Sequence, residues 1–359
     1  MSKLQYIFVH GLSGWGSYDE KYQKQPYWGM KNGDVVSMLR EKGYNAYAAS
    51  VAPTGSAWDR ACELYAQLAG TIVDYGKAHS GKYNHERFGK DFSSCPLIKE
   101  WNDDTRIVLI GHSFGGATIR LLSELLARGS EEERSVTDPE ALSPLFKGGM
   151  DNRIHAIVTL AAPMNGTTAY DMLEDPTFDA DKVKSSLSSK LFSRLMSMFI
   201  KAETDGRDER DYAAYDMHID NALAMNNRIH ILPHVYYFSI PCSTTQKKDG
   251  IQIPVKDRME PLFIRRSTQM GQYKGQTKGG FVVDETWQEN DGLVNTISAK
   301  HPLNDPHKQF SQDNIEKGIW NVFPPYPYDH MSMQGGLTKN HPIEDFYFRL
   351  MSIIDKTAS

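Results

Sequence analysis

The stretch Gly111-His112-Ser113-Phe114-Gly115-Gly116 constrains the fold more than any other part of this chain. An apolar run at residues 106–110 (Arg-Ile-Val-Leu-Ile) leads into it, and a helix-favouring run at residues 117–122 (Ala-Thr-Ile-Arg-Leu-Leu) leads out. Strand, Gly-x-Ser-x-Gly, helix is the setting of a nucleophile elbow, where a serine on a strained turn projects its hydroxyl from the sheet. The flanking glycines lack Cβ atoms, which lets strand and helix crowd together. The same five-residue pattern also arises as a flexible turn in ordinary loops. Its meaning therefore depends on whether the chain supplies a base, an acid and an anion-binding loop.

The remaining apolar runs describe a sheet. Residues 6–9, 45–51, 106–110, 153–160, 235–240 and 318–323 are short, β-favouring and closed by Gly, Pro or polar residues, as buried strands are. Between them, residues 58–75 place Ala61, Leu64, Tyr65, Leu68, Ile72 and Val73 on one helical stripe. Strands alternating with helices predict an α/β fold with a mainly parallel central sheet and helices on both faces. Two segments break the alternation. Residues 76–103 are polar, aromatic and irregular. Residues 170–215 hold a stripe of Val183, Leu187, Leu191, Phe192, Leu195, Met196 and Phe199, followed by a charged stretch at 203–211. That stripe fits either an ordinary surface helix or a helical lid over the site.

Bulk properties narrow the function classes. A net charge of −5 with no compensating basic cluster argues against nucleic acid as the partner. No apolar run approaches the roughly 18 residues of a membrane span. Cys62, Cys95 and Cys242 form neither a disulfide framework nor a zinc-ligand pair. Residues 1–5 run straight into a strand without a signal-peptide core, so the expectation is either a cytoplasmic chain or a mature form of a secreted one.

A serine needs a base, and the base needs an orienting carboxylate, in the chain order Ser, Asp or Glu, His. With 12 histidines in the chain, position must decide, and His330 follows the last strand where a terminal base belongs. His301 and His341 each precede a proline in less suitable loops. Asp291, before Gly292 on a tight turn, is the preferred carboxylate, with Asp329 and Asp284 as alternatives. The oxyanion of the tetrahedral intermediate requires pre-aimed N–H donors. These are expected from Phe114, after the nucleophile, and from the loop 10–14 (His-Gly-Leu-Ser-Gly) after the first strand.

Three stretches carry a family resemblance: residues 9–16 (Val-His-Gly-Leu-Ser-Gly-Trp-Gly), 58–63 (Trp-Asp-Arg-Ala-Cys-Glu) and 289–296 (Glu-Asn-Asp-Gly-Leu-Val-Asn-Thr). They resemble the thermoalkalophilic Bacillus- and Geobacillus-type lipases, to which staphylococcal lipases and some clostridial polyester-cleaving esterases are related. The resemblance runs from about Tyr6 to Leu350 and is poor only in the lid region and at residues 244–280. It implies a single α/β-hydrolase domain over 1–359 and hydrolysis of carboxylic esters, triacylglycerols and synthetic polyesters among them. It carries the nucleophile to Ser113, the acid to Asp291, the base to His330, and the oxyanion donors to the N–H groups of Leu12 and Phe114. The substrate is then an ester or lipid, met at a lipid or polymer surface, and the protein is secreted. A thioesterase, an amidase, or a zinc-stabilised binding protein with a dead triad are the competing readings.

The resemblance also implies a structural zinc on Asp59, His79, His85 and Asp216, which would give residues 76–103 a reason to be ordered. The family's calcium site is expected to be absent, because Ser332 stands where a glutamate is required and residues 337–340 lack the aspartate. The family's elbow usually has Gln where Phe114 stands, so a more apolar rim of the oxyanion hole is expected. The interval 168–216 is shorter than in the thermophilic lipases, which predicts a more open site.

Overall fold

The computed structural model describes residues 4–179, 206–337, 341 and 343–358. Its centre is a sheet of seven strands: β1 (Leu4–Val9), β2 (Asn45–Ala49), β3 (Arg106–His112), β4 (Ile154–Leu160), β5 (Tyr236–Ile240), β6 (His307–Gln309) and β7 (Trp320–Val322). The order is β6-β7-β5-β4-β3-β1-β2, and every pairing is parallel. The chain therefore enters each loop from the same edge of the sheet, and β1, β3 and β4 lie side by side.

Because side chains alternate along a strand, each central strand feeds two cores. Ile7, Val9, Ile107, Leu109 and Ile157 face one layer, packed against α2 (Ala57–Ala69) and α4 (Gly115–Arg128). Tyr6, Phe8, Val108, Ile110 and Val158 face the other, under α1 (Val35–Glu41) and α6 (Glu344–Asp355). This is the doubly covered parallel sheet that the sequence pattern predicts.

The structure corrects the sequence in three places. The helix expected over 58–75 stops at Ala69, because Gly70 adopts a left-handed φ of 65° and returns its N–H to Ala66. Ile72 and Val73 then belong to a short strand, Ile72–Asp74, paired antiparallel with Phe88–Asp91. The edge strand β6, His-Lys-Gln, has no apolar residue to announce it. Within residues 76–103 lies helix α3 (Lys77–Tyr83), whose first amides, Ala78 and His79, donate to the buried Glu133 carboxylate at 2.9 and 2.8 Å. Helix α5 (Thr168–Glu174) opens the segment 170–215, but the apolar stripe from Val183 to Phe199 lies outside the described residues.

Candidate active site and metal centre

Ser113 sits between β3 and α4 with a φ of 54°, a left-handed conformation that an L-residue adopts only under constraint. Its N–H donates to Leu160 O at 2.9 Å, anchoring the turn to β4. The crowding is severe enough to require glycine: a Cβ on Gly111 would lie 2.5 Å from the Gly115 carbonyl group, and one on Gly115 would lie 2.3 Å from Val9 O.

The hydroxyl faces an imidazole. Ser113 Oγ is 2.8 Å from His330 Nε2, and His330 Nδ1 is 2.9 Å from Asp291 Oδ2. A carboxylate only accepts, so Nδ1 carries the proton and Nε2 offers its lone pair to the serine. The other oxygen of Asp291 accepts from the Leu293 and Val294 amides at 3.0 and 2.7 Å, a turn made possible by Gly292 at φ 103°. The alternatives turn elsewhere. Asp329 caps the turn after it, accepting from Met331 and Ser332, while Asp284 accepts from Thr286.

Beside the hydroxyl runs the loop that follows β1, so close that a Cβ on Gly11 would be 2.6 Å from Ser113 Cβ. Among the described residues, the N–H groups of Leu12 and Phe114 donate to no acceptor. The loop is held from behind by the fully buried Arg60. Its Nε donates to Thr118 Oγ1 at 2.9 Å, its Nη2 to His10 O, and its Nη1 to Ala52 O at 3.3 Å. Burial lowers the Arg60 pKa to about 10, so it stays charged at neutral pH. The guanidinium lies 5.1 Å over the Phe114 ring. That ring is wholly buried among Ala57, Ala117, Ala213 and Met217. Phe114 does not form an apolar rim, because the left-handed turn at Ser113 points the following side chain into the protein. A cavity of roughly 610 Å³, mouth included, opens over Ser113 and His330, with Leu12, Tyr27, Tyr170, Met217, Leu293 and Met331 among its walls.

A second cluster brings together Asp59, His79, His85 and Asp211, with one ligand atom from each within 4.8 Å of all the others. His79 Nε2 is 3.2 Å from Asp59 Oδ1 and 3.1 Å from Asp211 Oδ1, and His85 Nε2 is 3.3 Å from Asp211 Oδ2. Two ligands bound tetrahedrally at about 2.0 Å are about 3.3 Å apart. Asp59 Oδ1 and His85 Nε2 are buried without a hydrogen-bond partner, an arrangement that a cation satisfies. His85 Nδ1 donates to Glu86 O at 2.9 Å, which leaves Nε2 as the free lone pair. The residues fit a metal ion. Arg207 Nη1 lies 2.6 Å from the outer oxygen of Asp59 and 3.5 Å from Asp211 Oδ2, steadying both carboxylates from the side.

Asp216 is not in this cluster. Its Oδ2 accepts the Ala57 N–H at 2.8 Å at the start of α2, and burial raises its pKa to about 7. Asp211, five residues earlier in Asp-Tyr-Ala-Ala-Tyr-Asp, takes the place assigned to it. The two aspartates stand at either end of one six-residue stretch, and nothing in the sequence says which of them turns toward His79.

The sequence matches the family described as lipase-like, C-terminal domain, over residues 2–186 and 201–353. The chain belongs to that family. Lipase 1 of Staphylococcus aureus (strain MRSA252) is 32% identical over 380 residues, covering 98% of this chain and 54% of the relative. A lipase of Staphylococcus epidermidis is 33% identical over 352 residues, covering 92% and 49%. The chain thus spans about half the length of these curated relatives. Among solved structures, EstA from Clostridium botulinum superposes with a TM-score of 0.83 at 32% identity, covering 98% of this chain and 87% of that one. Staphylococcus hyicus lipase follows with 0.80 at 29%, covering 100% and 98%. The α/β-hydrolase architecture is shared with these lipase and esterase structures.

Against this family background, Ser332 makes a local contact: its hydroxyl donates to Asp329 Oδ1 at 2.8 Å. None of the helices among the described residues is long and apolar enough to cross a membrane. Tyr27, which the sequence reading passed over, is a wall of the cavity and hydrogen-bonds to His112 at 2.6 Å. No local pattern marks it, because its partners are far away in the chain.

Proposed function

We propose that the chain is a serine hydrolase of carboxylic esters. The observation that carries this reading is the line Asp291–His330–Ser113, buried beside two unspent amides at the floor of an apolar cavity. His330 Nε2 takes the proton of Ser113 as Oγ attacks the ester carbonyl, and the negative oxygen is received by the Leu12 and Phe114 amides. The imidazolium, stabilised by Asp291, returns the proton to the leaving alcohol. Water then enters, loses a proton to the same nitrogen and releases the acid from Ser113. The mostly apolar walls favour an acyl chain over a charged group, and the names of the staphylococcal lipases and of EstA support a lipid or simple ester as substrate.

The metal proposed for Asp59, His79, His85 and Asp211 is zinc, on the strength of two imidazoles and two carboxylates in tetrahedral spacing. It would act structurally, tying residues 76–103 to α2 and to the stretch after residue 205. Four protein ligands leave no open position for substrate. Secretion is part of the same proposal and rests on the family resemblance read from the sequence. The open, less gated mouth remains part of this proposal, tested by tributyrin hydrolysis: activity confined to concentrations above the solubility limit would refute it. For the triad, Ser113→Ala should lower p-nitrophenyl ester turnover by about 10³-fold or more. It should also abolish labelling by a fluorophosphonate, and a variant that keeps most of its activity would refute the assignment. Thioester and amide substrates in the same assay decide between the neighbouring chemistries.

A further inference from the structure

We propose that Tyr27 and His112 are positioning residues, forming with the Gly11 amide a hydrogen-bonded strut that fixes the main chain of His330 relative to the loop after β1. The inference rests on the triad reading given above. Gly11 N–H donates to Tyr27 Oη at 3.1 Å, Tyr27 Oη lies 2.6 Å from His112 Nδ1, and His112 Nε2 lies 2.9 Å from His330 O. Tyr27 and His112 are 3% and 0% exposed, so water does not substitute for any of these bonds.

The direction of every bond is determined. A carbonyl oxygen only accepts, so His112 Nε2 carries a proton. The ring is neutral, its pKa lowered to about 3 by burial and by the neighbouring His330. Nδ1 is therefore a lone pair and takes the Tyr27 hydroxyl proton, which leaves the phenol oxygen to accept from Gly11. The strut runs one way from the anion-binding loop to the base.

Its far end matters for catalysis. The His330 N–H donates to Asp291 O at 3.0 Å, and the His330 carbonyl receives His112 Nε2, so the backbone of the base is held on both sides. His112 also precedes Ser113 directly, so one residue couples the base to the nucleophile's own peptide. Its ring centroid is 4.9 Å from that of His330, and its low basicity keeps it from taking the proton that His330 must carry. Removing the Tyr27 hydroxyl frees the His112 tautomer, and with the wrong tautomer two lone pairs face each other at His330 O.

A purely packing role is the competing account, since both rings also touch Trp28. Packing survives Tyr27→Phe; the strut does not. With p-nitrophenyl esters, Tyr27→Phe should lower kcat by about 10- to 100-fold, the cost of a misplaced reacting group, with KM changed less than about twofold and Tm nearly constant. His112→Gln, which can still donate to His330 O, should retain more activity than His112→Leu. The double variant Tyr27→Phe/His112→Leu should be no slower than His112→Leu alone, because both interrupt one strut. Unchanged kcat in Tyr27→Phe, a rise in KM alone, or multiplicative losses in the double variant would each overturn the proposal. If His112→Leu fails to fold, Tyr27→Phe and His112→Gln carry the test. Ser113→Ala separates the two levels: retained turnover there defeats the triad, whereas an inactive Ser113→Ala beside a fully active Tyr27→Phe defeats only the strut.

Discussion

Replacing Gly115 by Ala adds one methyl group where the start of α4 crowds the end of β1. The new Cβ would sit 2.3 Å from Val9 O, 2.9 Å from His10 O and 3.1 Å from Val9 C, all of them backbone atoms at the end of β1. Carbon–oxygen contacts normally begin near about 3.3 Å, so α4 and β1 must separate by about 1 Å. Gly115 is not at positive φ, so the cost is one of space alone. Overpacking of this kind costs about 1–3 kcal/mol, which lowers Tm by a few degrees in a chain of this size. The larger effect is on rate. The displaced strand end carries Gly11 and Leu12, and a shift of about 1 Å at a reacting centre can cost roughly 100-fold in kcat. Ester turnover and thermal unfolding, measured on the same preparation, check both numbers. Wild-type kcat together with wild-type Tm would show that the elbow is not packed to its limit.

Gly81 provides the contrast: it lies within α3, a Cβ there meets nothing within 4 Å, and Gly81→Ala should raise stability by about 0.5–1 kcal/mol in urea unfolding. Asp211→Asn should lose the bound metal, read by metal analysis after dialysis, while Asp216→Asn keeps about one equivalent. Equal loss in both variants would count against the four-residue cluster. Chelation of the wild type should lower Tm, since it leaves two buried carboxylates side by side. His112 titrates near 3 in the fold against an ordinary 6.5, so between those values the unfolded chain binds the extra proton. Its contribution to stability is therefore full above about pH 6.5 and is lost as pH falls toward 3. The stability advantage of wild type over His112→Gln should shrink on acidification by up to about 1.4 kcal/mol per pH unit. An advantage independent of pH would mean that His112 takes up its proton in the folded protein as readily as in the unfolded chain.

What could be read from the sequence was whatever is enforced locally. Gly111, Gly115 and Gly116 announce the elbow because the backbone there tolerates nothing larger. Ser113, Asp291 and His330 were expected to meet because a parallel sheet delivers its loops to one edge, and their side chains lie within hydrogen-bond distance. The strands with apolar residues on both faces were equally plain, whereas β6, polar and at the edge, gave no signal. Choosing between Asp211 and Asp216 required knowing which carboxylate turns toward His79 and which toward Ala57. A six-residue stretch with an aspartate at each end does not say. Tyr27 and His112 meet across 85 residues, and His112 and His330 across 218, distances over which periodicity carries no information.

Phe114 uses its two halves differently. Its amide donates to no acceptor among the described residues, while its ring joins Ala57 at the start of α2 to Ala213 and Met217. Asp59 of the metal cluster lies two residues after Ala57, and Asp211 two before Ala213. A single aromatic ring therefore packs against residues on both sides of the His/Asp cluster and against Met217. Met217 belongs both to that aromatic contact and to the cavity wall, so a metal on the proposed cluster would have a short mechanical route to the shape of the cavity. On the proposed reading, replacing this one ring would retune the His/Asp cluster and the cavity together, without touching Ser113, His330 or Asp291.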